Sequence, residues 1–331
     1  MKKSKVLFFI FITLAAAFAS AIAYEHNGRP VHTYSIVALD KSTGELGAAV
    51  QSHWFSVGSL VPWVESGVGA VCTQSFVEVS YGPLGLKLMR AGKSAEETLA
   101  ALLKADKNES VRQVGMVDAK GRVAAHTGKN CIPEAGNFVG DGFSCQANMM
   151  LKNTVWKAMA RAFETRKGDL ADRLVAALEA AEKEGGDIRG KQSAAIIVVR
   201  GKSSGVWWKD RIYDLRVEDH PAPVPELKRL LKLNKAYNHM NKGDDYMTEN
   251  KVAEAMTEYT KGMEIYPDNP EMIFWPAVTL ASTGKVEESL PLFKKVFALD
   301  PNWAILLGRL PSVGQFPADE NLLKKILALA K

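Results

Sequence analysis

Thr33-Tyr34-Ser35-Ile36-Val37-Ala38-Leu39, then Asp40-Lys41-Ser42-Thr43-Gly44, then Leu46-Gly47-Ala48-Ala49-Val50-Gln51: this stretch decides the fold. Two runs rich in β-branched and apolar residues flank a cluster of turn formers, so the stretch reads as a β-hairpin. Downstream, a third strand is expected near Leu60 to Glu65 and a fourth over Gly69 to Phe76. Two helices follow. Pro83 can open the first as a first-turn residue and Gly92 closes it. Ser94-Ala95-Glu96-Glu97 is a capping box that opens the second. A hairpin over Val111 to Asp118 and Arg122 to Thr127 and a short strand over Phe143 to Ala147 come next. Helices are predicted from about Thr154 to Arg166 and behind an Asp169 cap. Strands over Ser193 to Arg200 and Arg211 to Val217 end the series. Strand groups alternating with helix pairs suggest two packed sheets with helices outside, not a parallel α/β sheet.

Working outward to the N-terminus, residues 1–23 have the three parts of a secretory signal: Lys2, Lys3 and Lys5, an apolar run from Val6 to Phe18, and Ala21-Ile22-Ala23 before Tyr24. The run is short for a membrane span. The sequence therefore predicts an exported, secreted or periplasmic protein with no membrane segment after signal removal, and a spacer or propeptide over 24–32. The chain has 331 residues and a net charge of +5, of which three positive charges leave with the signal. With +2 remaining and no Arg/Lys stripe, no nucleic-acid partner is expected. Three cysteines are too few for a disulfide scaffold. Cys131 and Cys145 could bridge in an oxidising compartment, and Cys72 reads as a buried thiol.

Towards the C-terminus, His220-Pro221-Ala222-Pro223-Val224-Pro225 reads as a break, making 221–225 a linker between a domain over 33–220 and a helical domain over 226–331. Within the tail, Pro267 and Pro301 lie 34 residues apart, and at the same offset Glu254 matches Glu288, Tyr259 matches Phe293 and Lys261 matches Lys295. That period is the tetratricopeptide one. The expectation is about two repeats, the second with Pro276 inside its first helix. Such a tail could hold a protein or peptide partner on its concave face.

Familiar site patterns are missing. No phosphate loop, His-Glu-x-x-His, Cys-x-x-Cys or Gly-x-Ser-x-Gly occurs, and the six His are scattered. No metal site and no cofactor are expected. What remains is Thr33, the only Thr, Ser or Cys at the start of the first strand, which reads either as a nucleophile or as an ordinary strand Thr. Polar residues closing the flanking strands, Ser52 and His53 after the second and Thr73 and Gln74 in the fourth, are candidates for substrate or oxyanion contacts, as is Asn148 after the strand Phe143 to Ala147. Each could equally be a cap or turn residue.

The stretches Thr33-Tyr34-Ser35-Ile36-Val37-Ala38, Val68 to Ser75, Tyr81-Gly82-Pro83-Leu84-Gly85-Leu86, Arg112-Gln113-Val114-Gly115, His126-Thr127-Gly128 and Gln192-Ser193-Ala194 resemble domain-of-unknown-function family 1028, which is grouped with the N-terminal-nucleophile (Ntn) hydrolases. The resemblance implies an α+β fold: a four-layer αββα Ntn-hydrolase-like sandwich, here followed by an all-α tetratricopeptide-like domain. It also implies a mechanism. Thr33, once N-terminal, would attack with its own α-amine as base, since an amine of pKa about 8 can take the hydroxyl proton near neutral pH. Cleavage before Tyr24 leaves nine residues ahead of Thr33, so either His32–Thr33 is also cut, as in self-activating precursors, or the site is blocked. The Lys that many Ntn members carry on a neighbouring strand has no counterpart between Lys41 and Lys87, and His53 could substitute. The expected substrate is a small amide or peptide. The contrasting expectations are a catalytically silent binding module whose tail recruits a partner, and a scaffold in which the sandwich forms a homo-oligomer.

Overall fold

A computed structural model describes residues 33–330. The signal, the spacer Tyr24 to His32 and the His32–Thr33 junction lie outside the described residues. Contacts divide the chain into two compact units between Lys228 and Arg229.

The first unit holds ten strands: β1 (Thr33–Leu39), β2 (Leu46–Ser52), β3 (Pro62–Glu65), β4 (Gly69–Ser75), β5 (Arg112–Asp118), β6 (Val123–Thr127), β7 (Gly136–Gly140), β8 (Phe143–Ala147), β9 (Ser193–Val199) and β10 (Arg211–Val217). They form two antiparallel sheets, ordered β10-β9-β2-β1-β8-β7 and β3-β4-β5-β6. Helices α1 (Tyr81–Arg90) and α2 (Ala95–Ala105) pack on the four-stranded sheet. Helices α3 (Val155–Thr165) and α4 (Leu170–Lys183) pack on the six-stranded one. The other faces of the sheets meet over one apolar core containing Val37, Leu46, Val50, Val61, Cys72 and Val117. A short helix, α5 (Trp207–Asp210), precedes β10.

Local chemistry accounts for most boundaries. Ser94 caps α2, its hydroxyl accepting from Glu97 N at 3.1 Å while Glu97 Oε2 accepts from Ser94 N at 2.8 Å. Asp169 caps α4 by accepting from Asp172 N. The sequence reading has no strand at Gly136–Gly140. Glycines bracket β7, which pairs with β8 along its whole length, so its partner and not its propensity makes it a strand. Pro83 lies two residues inside α1, which opens at Tyr81.

The run read as a proline break holds the start of α6 (Pro223–Thr248). A helix's first-turn N–H groups have no intrahelical acceptor, so prolines there cost little. The bridge considered between Cys131 and Cys145 does not form: all three cysteines are free and buried. Burial pushes the Cys72 thiol up to about 12, and those of Cys131 and Cys145 upward too. None is a thiolate nucleophile at neutral pH.

The second unit continues α6 through α7 (Val252–Ile265), α8 (Pro270–Ser282), α9 (Val286–Leu299), α10 (Asn302–Arg309) and α11 (Glu320–Leu327). Helices α7 and α9 have the same length and start 34 residues apart. Their inward aromatics, Tyr259 and Phe293, occupy equivalent positions in two successive apolar clusters. Gly243 lets α6 approach α7: a Cβ there would sit 2.3 Å from the Tyr259 ring. Among the described residues no helix is long and apolar enough to cross a membrane.

One buried carboxylate ties α6 to α7. Glu258 accepts from Lys261 Nζ at 2.8 Å, sits 2.7 Å from His239 Nδ1 and accepts from Lys242 Nζ at 3.1 Å. These partners hold its carboxyl down to about 2, against an ordinary 4.5. A lowered folded-state value means the stabilisation is fully present above about 4.5 and is lost as pH falls towards 2. Thermal melts of wild type and Glu258→Gln should show the variant less stable at pH 7, with the two curves converging between pH 4.5 and 2. A gap that persists unchanged at pH 2 would contradict this assignment.

Candidate functional site

Side chains alternate along a strand, and the register of β1 with β2 sets what faces what. Thr33 lies opposite Ser52, Tyr34 opposite Gln51, and Ser35 opposite Val50. Thr33, Ser35 and Val37 share the face that meets the second sheet. Tyr34 and Gln51 share the other face, where the Tyr34 hydroxyl donates to Glu182 of α4 at 3.4 Å. The inter-sheet layer thus has two halves. Towards Leu39 and Leu46 it is apolar. Towards Thr33 and Ser52 it is built of hydroxyls and amides, all fully buried: Thr33, Ser35, Ser52, Gln74, Gln113, Gln146 and Asn148.

These groups form one continuous network. The Thr33 hydroxyl donates to Ser52 Oγ at 3.2 Å. The Thr33 carbonyl accepts from Gln74 Nε2 at 3.0 Å, from the Asn148 backbone N–H at 3.1 Å and from Asn148 Nδ2 at 3.5 Å. Gln74 and Asn148 both donate to Gln113 Oε1, at 2.7 and 2.8 Å. The Gln113 amino group reaches Thr127 Oγ1 and the carbonyls of Gly136 and Ala147. From Gln74 the network continues through Ser35, whose hydroxyl donates to Gln74 Oε1 at 2.6 Å and accepts from Gln146 Nε2 at 2.7 Å, while Gln146 Oε1 accepts from the Ser144 hydroxyl at 3.0 Å. Among the described residues, the partners traced here are side-chain amides, hydroxyls and backbone groups.

Of the residues singled out in the sequence, Thr33, Ser52, Gln74 and Asn148 come together. Thr73 does not join them. It lies on the opposite face of β4 from Gln74, and its hydroxyl donates to the Glu78 carbonyl at 3.1 Å, closing the turn into α1. His53 follows Ser52 but is exposed, and its backbone N–H donates to Asp187 Oδ2 at 3.1 Å. Asp187 also pairs with Arg189 at 2.6 Å, and Ile188 N donates to the Met149 carbonyl. The loop after Asn148 is thereby stitched to the loop before β9.

Gln113, Gln146 and Ser35 were not singled out as site residues by sequence reasoning. The available signal was a glutamine inside an otherwise apolar strand, as in Arg112-Gln113-Val114-Gly115-Met116 and Phe143-Ser144-Cys145-Gln146-Ala147. Gly115 is the other half of that signal: a Cβ there would fall 2.3 Å from Gln146 Oε1. Among the described residues no group of three or more His, Cys, Asp or Glu is placed to hold a metal ion.

The model of a family of unknown function, DUF1028, matches residues 33–227, the span that carries both sheets and the network. The chain is similar to the crystal structure of a protein of that family from Silicibacter pomeroyi, at 28% identity and a TM-score of 0.54, over 61% of this chain and 88% of that one. A solved ancestral β-subunit (Anbu) from Yersinia bercovieri aligns at 10% identity and a TM-score of 0.30, over 60% of this chain and 92% of that one. No curated protein matches the chain significantly.

Gly115→Ala should destabilise the protein by about 1–3 kcal/mol, because the new methyl group displaces the Gln146 amide from its partners. Gly308→Ala, in α10 where an added Cβ meets nothing within 4 Å, should be neutral or slightly stabilising. Urea denaturation midpoints measure both. Equal midpoints for the two variants would show that the space beside Gln146 is not tightly filled.

Proposed function

The chain belongs to the DUF1028 family, and we propose that it is an exported N-terminal-nucleophile amidohydrolase acting on a small amide or peptide, with Thr33 as nucleophile after residues 24–32 are removed. The observation that carries this reading is the setting of Thr33. It opens a central strand, its hydroxyl is aimed by Ser52, and its carbonyl is gripped by Gln74 and Asn148. A serine-protease-like scheme would place a His or carboxylate in this lattice as base. Among the described residues, the side chains traced around Thr33 are amides and hydroxyls. An α-amine on Thr33 itself would supply a base without adding a residue. Two antiparallel sheets with helix pairs outside them fit the Ntn αββα sandwich, in which the first strand presents the nucleophile.

The chemistry runs in two stages. The Thr33 hydroxyl attacks the His32 carbonyl; the peptide nitrogen leaves as the Thr33 amine, and water hydrolyses the ester. The freed amine then takes the hydroxyl proton, Thr33 Oγ attacks a substrate carbonyl, the substrate amine departs with that proton, and water releases the acyl group. Ser52 aims the hydroxyl, and Gln74 and Asn148 fix the backbone that carries it. The rims of the site offer His53 and the stitched loops around Asp187 for substrate contact.

A second reading, a silent module whose helical tail binds a protein or peptide, draws on a different observation. The tail, read as tetratricopeptide-like, carries a cavity of about 420 Å³ lined by Asp244, Met247, Tyr259 and Trp275 among others.

Intact-mass measurement of the exported protein separates the two. Wild type should begin at Thr33, Thr33→Ala should retain the residues before it, and Thr33→Ser should be cut partially. If wild type and Thr33→Ala both begin at Tyr24, the nucleophile assignment fails and the binding module is the better reading.

A further inference from the structure

At the end of the sandwich opposite Thr33, the loop between β9 and β10 carries two adjacent tryptophans. Trp207 and Trp208 are each 64% exposed and meet edge to face at 5.8 Å. An exposed indole pair is costly to leave in water and marks a contact surface. Trp207 also lines a cavity of about 410 Å³, together with Glu65 and Ser66 at the end of β3, Arg90 of α1 and Arg211 of β10. Val199, another lining residue, is paired with Leu46, whereas Thr33 is paired with Ser52. Six strand residues separate those positions, roughly 20 Å. The cavity is a separate site.

The cavity is built and not merely left over. Asp210, 2% exposed, accepts from Ser203 Oγ at 2.9 Å and Ser204 N at 3.0 Å, which fixes the loop leading into Trp207. Ser66 Oγ donates to the Arg200 carbonyl at 2.7 Å and ties the end of β3 to the end of β9. Arg211 lies 5.0 Å over the Trp207 ring, which holds the indole in place.

Charge decides the class of ligand. Arg90 is paired with Glu65 through two of its nitrogens, and Arg211 with Asp214. Both guanidinium groups are neutralised, so the lining has no excess positive charge for a phosphate or carboxylate. Arg211 covers one face of the Trp207 ring, and what the cavity offers is the rest of that exposed indole beside planar groups that accept and donate side by side. That combination suits a ring with an apolar face and a rim of hydroxyls. We propose that this cavity binds a neutral saccharide, one or two sugar rings long, stacked on Trp207 and hydrogen-bonded by Glu65 and Arg90.

The test is full-length protein on a printed panel of neutral glycans, with the best hit followed by titration of intrinsic tryptophan fluorescence. At least one neutral glycan should bind. Trp207→Ala should weaken it by about tenfold or more, the loss of one stacking contact. Glu65→Gln should weaken it too, and Thr33→Ala should leave it unchanged. The proposal is overturned if no neutral glycan binds, if binding survives Trp207→Ala, or if only anionic glycans bind. It is equally overturned if Trp207→Ala lowers the solution mass, since the indole pair would then be an interface between copies of the chain.

Discussion

Gln113 holds the interior in one arrangement. Its amino group faces the carbonyls of Gly136 and Ala147, which can only accept, so its Oε1 must point the other way. Gln74 and Asn148 are then obliged to present their amino groups to that oxygen. With its amino group so directed, Gln74 turns Oε1 to Ser35, and Ser35 turns its lone pair to Gln146. Two fixed backbone carbonyls thus set the orientation of every amide in the layer. An unpartnered buried amide costs about 1–3 kcal/mol, so a flipped member is strongly disfavoured. A half-polar sheet interface is tolerable only because the network is satisfied throughout.

This constraint places Thr33. Its carbonyl receives three donors from the network and its hydroxyl one acceptor, Ser52. The first residue of a strand would ordinarily fray. Here the amide lattice extends the order of the sheet to its last position, which is the requirement for a nucleophile held in one pose. The apolar half of the same interface, from Val37 to Leu46, supplies the burial that keeps the sheets together.

How much of this the sequence revealed follows from which interactions are local. The β1–β2 hairpin, the Ser94 capping box and the Asp169 cap depend on neighbours within a few residues, and they form where the sequence puts them. Strand β7 depends on β8 for its pairing, and its glycines hid it. Pro223 and Pro225 read as a break because their cost inside a helix is familiar, yet the first turn has no hydrogen bond for them to remove. Thr33 and Ser52 were legible because both sit at strand ends. Gln113 and Gln146 were not, since nothing in one sequence says that two glutamines 33 residues apart are linked through Gln74 and Ser35 across a sheet interface. Thr73 and Gln74 show the limit most sharply: adjacent residues on one strand face opposite layers, and only Gln74 reaches Thr33.

Covalent trapping addresses the central claim most directly. A β-lactone opened by a hydroxyl nucleophile leaves an ester on that oxygen with no leaving group, so peptide mapping of the mature protein identifies the residue. A Thr33 nucleophile gives a single adduct on its hydroxyl, with labelling that rises as the α-amine loses its proton around pH 8. A mature chain that begins at Thr33 yet takes no label there, or one labelled equally when Thr33 is replaced by Ala, would contradict it.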